Sequence, residues 1–466
     1  MVVVICLVAL TLAKGFEYTL PLFAFLVVLL PWEARIYVGD LFILSATRIA
    51  TVTLAVLYIV FESMNPGSHR NDKLPLKYVL LLYLVWCLVS TLKSIVFTTS
   101  LKTVISLVVD FYLVYYIYSK SVSRVETIHK IFAAFIAGLV VCCVLGVVER
   151  FTHWRVTDLF PELQHRFTPG EGGLLAGERL RSTFPHAILF GNALALGIPW
   201  ALYLLGVAKT KAQKVYLWVA IILMTYVIYR TMSRGPWLAL GMSLLALFFF
   251  SPGAIRKSLV VIGLLTVASL IVRPGVRETL KNTYFETVDV NSVRGGSYQY
   301  RYDLMSVGRH ALARSFGRAL WGFGPESFAA LALEGTDSTT GHNFVFESCD
   351  SAVVEIMVCT GYVGLFLVAL LLMEAGWFSW RGFSRLPKPA NLLCLTFLIS
   401  IVAYGFMMVS VENFGWGQQT QMLWIVLALA MAYPGLLQPK RPAKDLTVSP
   451  WQETSPQWAE VSQPRA

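Results

Sequence analysis

Residues 341–365 read GHNFVFESCDSAVVEIMVCTGYVGL. The stretch opens polar, with His342, Glu347 and Asp350, and then becomes an apolar run that continues to residue 373. A helix crosses a bilayer with about 20 mainly apolar residues. Residues 351–373 meet that length with a single ionisable group, Glu355, about one turn in. The stretch therefore reads as the mouth of a membrane helix that carries a histidine and two acids.

The rest of the chain follows the same pattern. Of its 466 residues 56% are hydrophobic and only 14% charged, where a soluble protein carries roughly a quarter charged residues. The predicted class is all-α, a polytopic integral membrane protein with about 12 or 13 spans. Candidate spans are 2–13 with 16–31, 41–61, 76–97, 101–119, 127–148, 187–207, 214–230, 235–251, 257–273, 351–373, 391–410 and 418–437. The net charge of +11 is spread over short loops, not gathered in a soluble domain, so it sets orientation and does not indicate a nucleic-acid partner. Five of the seven cysteines lie in apolar runs, and neither a disulfide framework nor a metal spacing is present. The apolar start lacks a basic leader region, so a cleaved signal peptide is not expected.

The loops predict which way the chain faces. One alternating set holds SHRNDK (68–73), SKSVSR (119–124), KTKAQK (209–214), RK (256–257), RGFSRLPK (381–388) and KRPAK (440–444). All are basic and are expected on the cytoplasmic side. The chain then divides into an N-terminal membrane bundle (1–273), a large external loop (274–350), C-terminal membrane helices (351–437) and a Pro/Ser/Gln-rich tail (438–466) expected to be cytoplasmic and disordered. Within the loop, residues 298–320 read as a basic amphipathic helix. Tyr298, Tyr302, Met305, Leu312 and Phe316 form its apolar face and Arg301, Arg309, Arg314 and Arg318 its charge. Such a helix often lies on a membrane surface.

Ionisable groups within a bilayer are costly and mark function by default. Arg48, Asp110, Arg181, Arg230, Arg234 and Glu355 all fall in or beside spans, and most lie towards the outer side. Each also has a structural reading. Arg230 and Arg234 could snorkel to the interface, Arg48 and Asp110 could form a structural ion pair, Glu355 could answer a helix dipole, and Asp350 could cap its helix. Several outward arginines suggest a polyanion at the membrane surface, because guanidinium binds phosphate bidentately. No Walker-type or Gly-rich nucleotide loop is present.

The order of four motifs resembles the O-antigen ligase and Wzy-type polymerase superfamily. They are RSTFPHAILFGNALAL (181–196), SRGPWLAL (233–240), RYDLMSVGRHAL with WGFGPESF (301–328), and HN followed by TGYVGL (342–365). The resemblance implies a glycosyltransferase at the outer face of the bacterial cytoplasmic membrane, using an undecaprenyl-diphosphate-linked glycan without metal or other cofactor. It implies that Arg234, in an R-x-x-x-L motif with Leu238, and Arg301 bind the donor diphosphate; to these the charged residues themselves add Arg181 as a further ligand and Arg48, Arg309 and Glu355 as supporting groups. The family's base is usually a histidine with ten residues between it and the glycine that starts GxxGL. Here that position, counted back from Gly361, is Asp350 and not His342. Either residue could take the proton, and His342 is favoured for its pKa near neutrality. A growing glycan, a lipid A core or a protein side chain could be the acceptor. A polysaccharide or lipid transporter is the rival reading, with Arg48 and Asp110 along its path.

Overall fold

The computed structural model describes residues 2–31, 34–38, 42–65, 74–160, 179–272, 277–278, 281, 285, 293–336, 343–346, 348–412, 414–415 and 417–437. His342, Glu347, the 68–73 loop and the tail from 438 lie outside the described residues. The chain is a bundle of apolar helices: α1 (Val2–Lys14), α2 (Phe16–Leu29), α3 (Ala46–Met64), α4 (Lys77–Leu92), α5 (Phe97–Ser121), α6 (Val125–Thr152), α7 (Ala187–Val207), α8 (Lys211–Arg230), α9 (Arg234–Phe250) and α10 (Gly253–Val272). Two helices of the segment 274–350 follow, α11 (Val293–Ala313) and α12 (Phe316–Trp321), and then α13 (Ala352–Arg385), α14 (Asn391–Met407) and α15 (Gly417–Leu436). Among the described residues six helices are long and apolar enough to cross a membrane, and five shorter ones are apolar as well. The fold is thus all-α and polytopic. Two small antiparallel hairpins, β1 (Arg35–Val38) with β2 (Phe42–Ser45) and β3 (Glu334–Thr336) with β4 (Asn343–Val345), are the strands among the described residues.

Helix α7 is the pillar of the bundle. The whole segment from Ala187 to Leu204 is buried apart from Ile188, packed by α6, α8, α9 and α14. Gly191 makes this possible at one crossing, where a Cβ would meet Pro236 Cγ of α9 at 2.8 Å. In α6, Phe132 stacks on Trp200 with ring centroids 5.0 Å apart.

Helices α11 and α12 pack on α13. The buried face of α11 is Leu304, Gly308, Ala311 and Leu312, which pack on Val354, Met357 and Val358 of α13. Tyr302 and Phe316, assigned to an apolar face from the sequence, are 65% and 81% exposed. Small residues that look neutral in a hydropathy reading allow the close crossing: a Cβ on Gly308 would meet Val358 Cγ2 at 2.9 Å. The single helix expected over 298–320 is also broken at 314–315 between α11 and α12.

Helix α13 is interrupted at Gly361, whose φ of 74° and ψ of −179° are non-helical. The freed carbonyls all find donors. Phe323 N donates to Val358 O (3.0 Å), Gly324 N to Cys359 O (2.8 Å), and Trp86 Nε1 of α4 to Thr360 O (2.8 Å). Ser90 Oγ donates to Trp321 O at 2.6 Å and lies 3.0 Å from Cys359 O. Backbone at membrane depth must be satisfied in this way. A Cβ at Gly361 would overlap the Leu320 carbonyl and sits at a φ that only glycine tolerates well. Gly361→Ala should therefore lower detergent-solubilised stability by about 2–4 kcal/mol, combining strain and overlap. Gly241→Ala in α9, where a Cβ meets nothing within 4 Å, should be neutral or slightly stabilising. Thermal unfolding of both variants checks the contrast.

Candidate functional site

The helix ends that carry the charged residues meet at one end of the bundle. Glu149, in the last turn of α6, accepts hydrogen bonds from the backbone N–H groups of Arg181 (3.2 Å) and Ser182 (2.8 Å) and from Arg155 Nε (2.9 Å). This buried carboxylate ties down the segment that leads into α7. Arg179 then crosses to the tight turn between α8 and α9, donating from Nε to Thr231 O at 3.0 Å and from Nη2 to Ser233 Oγ at 2.8 Å. Leu180 N donates to Arg230 O at 3.4 Å. Arg234 is the first residue of α9, immediately after Ser233. Gln418, at the start of α15, donates to Leu30 O (2.8 Å) and Thr183 O (3.4 Å), which brings α2 and α15 to the same end.

His186 stands at the focus of this arrangement. It is the N-cap of α7, and its Nδ1 accepts from Ile188 N at 3.1 Å. Burial, and after it Arg179, Arg181 and Arg301, push its pKa down to about 3, because each guanidinium disfavours a second cation. Arg301 reaches the site from α11, where its neighbour Tyr300 packs on Phe346 at 5.0 Å and on Phe344 at 6.1 Å. Arg301 also acts on Asp350. Asp350 is exposed as a residue, yet desolvation of its carboxyl by the surrounding protein raises its pKa, and the Arg301 charge opposes that rise. The cap of α13 is not Asp350. Ser351 fills that place, accepting from Val354 N at 3.5 Å, so the capping role read for the aspartate passes to its neighbour.

Of the residues singled out in the sequence, Arg181, Arg301, Asp350 and Arg234 fall in this region. Arg309 is exposed two turns further along α11. His186 and Arg179 were not anticipated. A signal for His186 was present: a histidine directly before an apolar run, in a residue class that can cap a helix. Arg179 had none beyond being one more basic residue in a loop.

Arg48 and Glu355 border a second feature, a cavity of about 600 Å³ at the same end. Arg48 sits in the first turn of α3 and pairs with Asp110 at 2.6 Å, with further bonds to Ser106 Oγ (2.8 Å) and Ile43 O (2.6 Å). Asp110 lies in a π-turn at Val108–Tyr112 that interrupts α5. Such wide turns recur at functional sites. Glu355 shares this cavity wall with Glu326 and with Glu412, from the loop between α14 and α15. Tyr83, Phe111 and Phe414 give the cavity aromatic walls. Among the described residues no group of three His, Cys, Asp or Glu is arranged to hold a metal ion.

Fold and site together define a polytopic membrane protein with a cationic cluster at one end and a polar, aromatic-walled cavity beside it. Residues 219–369 match the family model described as O-antigen ligase, which supports the resemblance drawn from the motifs and an enzyme of the O-antigen ligase or polymerase type. The match takes in Arg234, Arg301, Asp350 and Glu355. No curated protein matches the chain.

The Arg48–Asp110 pair offers a direct test of its structural weight. Asp110→Asn should destabilise the protein by on the order of 3 kcal/mol, because it strands a largely buried guanidinium. The double variant Arg48→Met, Asp110→Leu should recover most of that loss in thermal unfolding. Transfer activity lost in the double variant despite recovered stability would mark the pair as functional.

Proposed function

We propose that the protein is a glycosyltransferase that moves or polymerises an undecaprenyl-diphosphate-linked oligosaccharide at the outer face of a bacterial cytoplasmic membrane. The observation that carries this reading is the convergence of Arg179, Arg181 and Arg301 on the start of α7, beside the turn that ends in Arg234. That end of the bundle is opposite the basic loops at 119–124, 209–214 and 381–388. Permanently charged, planar guanidinium groups in a partly dry site suit a diphosphate.

In the proposed reaction an acceptor hydroxyl oxygen attacks the anomeric carbon of the donor glycan. The bond from that carbon to the diphosphate oxygen breaks, and its electron pair leaves with the undecaprenyl diphosphate. Arg234, Arg301 and Arg181 stabilise the charge that develops there. The hydroxyl proton passes to Asp350. Its spacing to Gly361 and its place beside Arg301 support this role over His342. The cavity lined by Glu355, Glu412 and aromatic rings suits sugars, whose hydroxyls donate to carboxylates and whose ring faces pack on aromatics. The acceptor is a growing glycan, a lipid A core or a protein side chain, and product analysis separates these: longer chains on the same lipid identify a polymerase.

Arg234→Lys should lose most transfer, on the order of 100-fold, because a point ammonium does not reproduce a bidentate fork. Near-normal transfer by this variant, with normal insertion, would make Arg234 an interface anchor. The pH dependence tests the base. A carboxylate acts only when ionised, so transfer should hold above the raised pKa of Asp350 and fall as pH drops through it. That acid limb should lie above the ordinary aspartate value of about 3.9, and Asp350→Asn should be nearly inactive. A limb that persists in an active Asp350→Asn and vanishes in His342→Ala would assign the proton to His342. For orientation, a reporter fused after Lys211 should read cytoplasmic and one within 285–295 external.

A further inference from the structure

We propose that His186 is a diphosphate ligand that acts as a neutral hydrogen-bond donor through Nε2–H, with Arg179 as a second ligand, and that it is not an acid or a base. This rests on the diphosphate reading above and extends it to two residues to which the sequence analysis gave no role.

The argument starts from the imidazole's two nitrogens. Nδ1 accepts a hydrogen bond from Ile188 N at 3.1 Å. A nitrogen that accepts has no proton, so in the neutral ring the proton is on Nε2. Among the described residues nothing accepts a hydrogen bond from Nε2. The charges that act on the ring are the guanidiniums of Arg179, Arg181 and Arg301, and the ring itself caps the first turn of α7. Helix α7 is 21 residues long, and its N-terminal end is positive. A hydrogen-bond donor in a field of positive charge is an arrangement that an anion completes.

Charge supports the same assignment. An imidazolium in this place would add a fourth cation at the positive end of a helix. Burial and the three arginines hold the ring neutral, with the pKa down to about 3. Asp350, the nearest acid tied to this group through Arg301, does not reverse this, and Glu149 is occupied by Arg155 and the backbone of Arg181 and Ser182. His186 therefore keeps one tautomer at any pH at which the protein works, and its donor is always available. Arg179 is held over the α8–α9 turn by Thr231 O and Ser233 Oγ, which brings its charge to the same point without a flexible reach.

The chemistry recognised is a phosphate or diphosphate oxygen, on a lipid headgroup or free. Full-length protein in nanodiscs is titrated with undecaprenyl diphosphate and, separately, with inorganic diphosphate. His186→Ser retains a good N-cap and removes the donor. It should weaken undecaprenyl diphosphate binding about tenfold or more, as for a lost hydrogen bond to a charged group, with the unfolding temperature little changed. Comparable weakening with inorganic diphosphate would make the phosphates themselves the recognised group; weakening confined to the lipid would mean that the headgroup is recognised together with its chain. Selective ¹⁵N-histidine spectra of the wild type should show the His186 ring protonated at Nε2 only, unchanged between pH 5 and pH 8. A ring that titrates in that range, or a Nδ1–H tautomer, overturns the proposal whether or not the serine variant folds. If His186→Ser binds like the wild type while Arg234→Lys and Arg301→Lys do not, the diphosphate reading stands and the role of His186 falls. If none of the three weakens binding, the diphosphate reading itself falls.

Discussion

The architecture depends on the break in α13 at Gly361. A membrane helix ordinarily satisfies its own backbone, and an interruption leaves carbonyls that lipid cannot serve. Here residues 321–324 and the side chains of Trp86 and Ser90 serve them. The break thus joins three parts of the chain that are far apart in sequence. It seats residues 321–324 inside the bundle and holds α11 and α12 against the first half of α13. Through α11 it sets where Arg301 stands relative to Asp350 and to the start of α7. The glycine that a motif reading notes as part of GxxGL is, physically, the joint on which the site's geometry hangs.

The two features at this end of the bundle are electrostatically different and share one wall. The start of α7 gathers positive charge: three guanidiniums, a helix N-terminus and a neutral imidazole. The neighbouring cavity balances its charge internally, with the Arg48–Asp110 pair on one side and Glu355 and Glu412 on another. The beginning of α13 separates them, with Asp350 at its mouth and Ala352 and Glu355 turned to the cavity. A cationic pocket beside a charge-balanced, aromatic-walled one matches a substrate that is highly charged at one point and carbohydrate next to it.

Much of the fold was legible in the sequence because hydropathy is a local property: each apolar run of sufficient length reads as a helix on its own. The opposite charges of Arg48 and Asp110, alone in apolar surroundings, already suggested their pairing. What was not legible depends on approach between segments. The docking face of α11 uses Gly308 and Ala311, which carry little hydropathy signal but permit close contact, so this face was not anticipated. Ser351 and Asp350 compete for one cap position, and only the backbone geometry decides between them. Glu412 reads as an ordinary loop acid until α14 and α15 bring it to Glu355. His186 was quoted within a motif and passed over because its significance lies in the arginines around it, which come from two separate stretches of chain.

The enclosure of α7 has a mechanical consequence. With 94% of its apolar window buried, this helix touches protein on nearly every side and has almost no contact with lipid. Changes in bilayer thickness are met by tilt of lipid-facing helices, such as α3 and α8, each only one third buried over the corresponding window. The central helix is shielded from that adjustment. The groups at its N-terminus therefore keep their spacing while the periphery rocks, much as the hub of a wheel holds its line when the rim flexes.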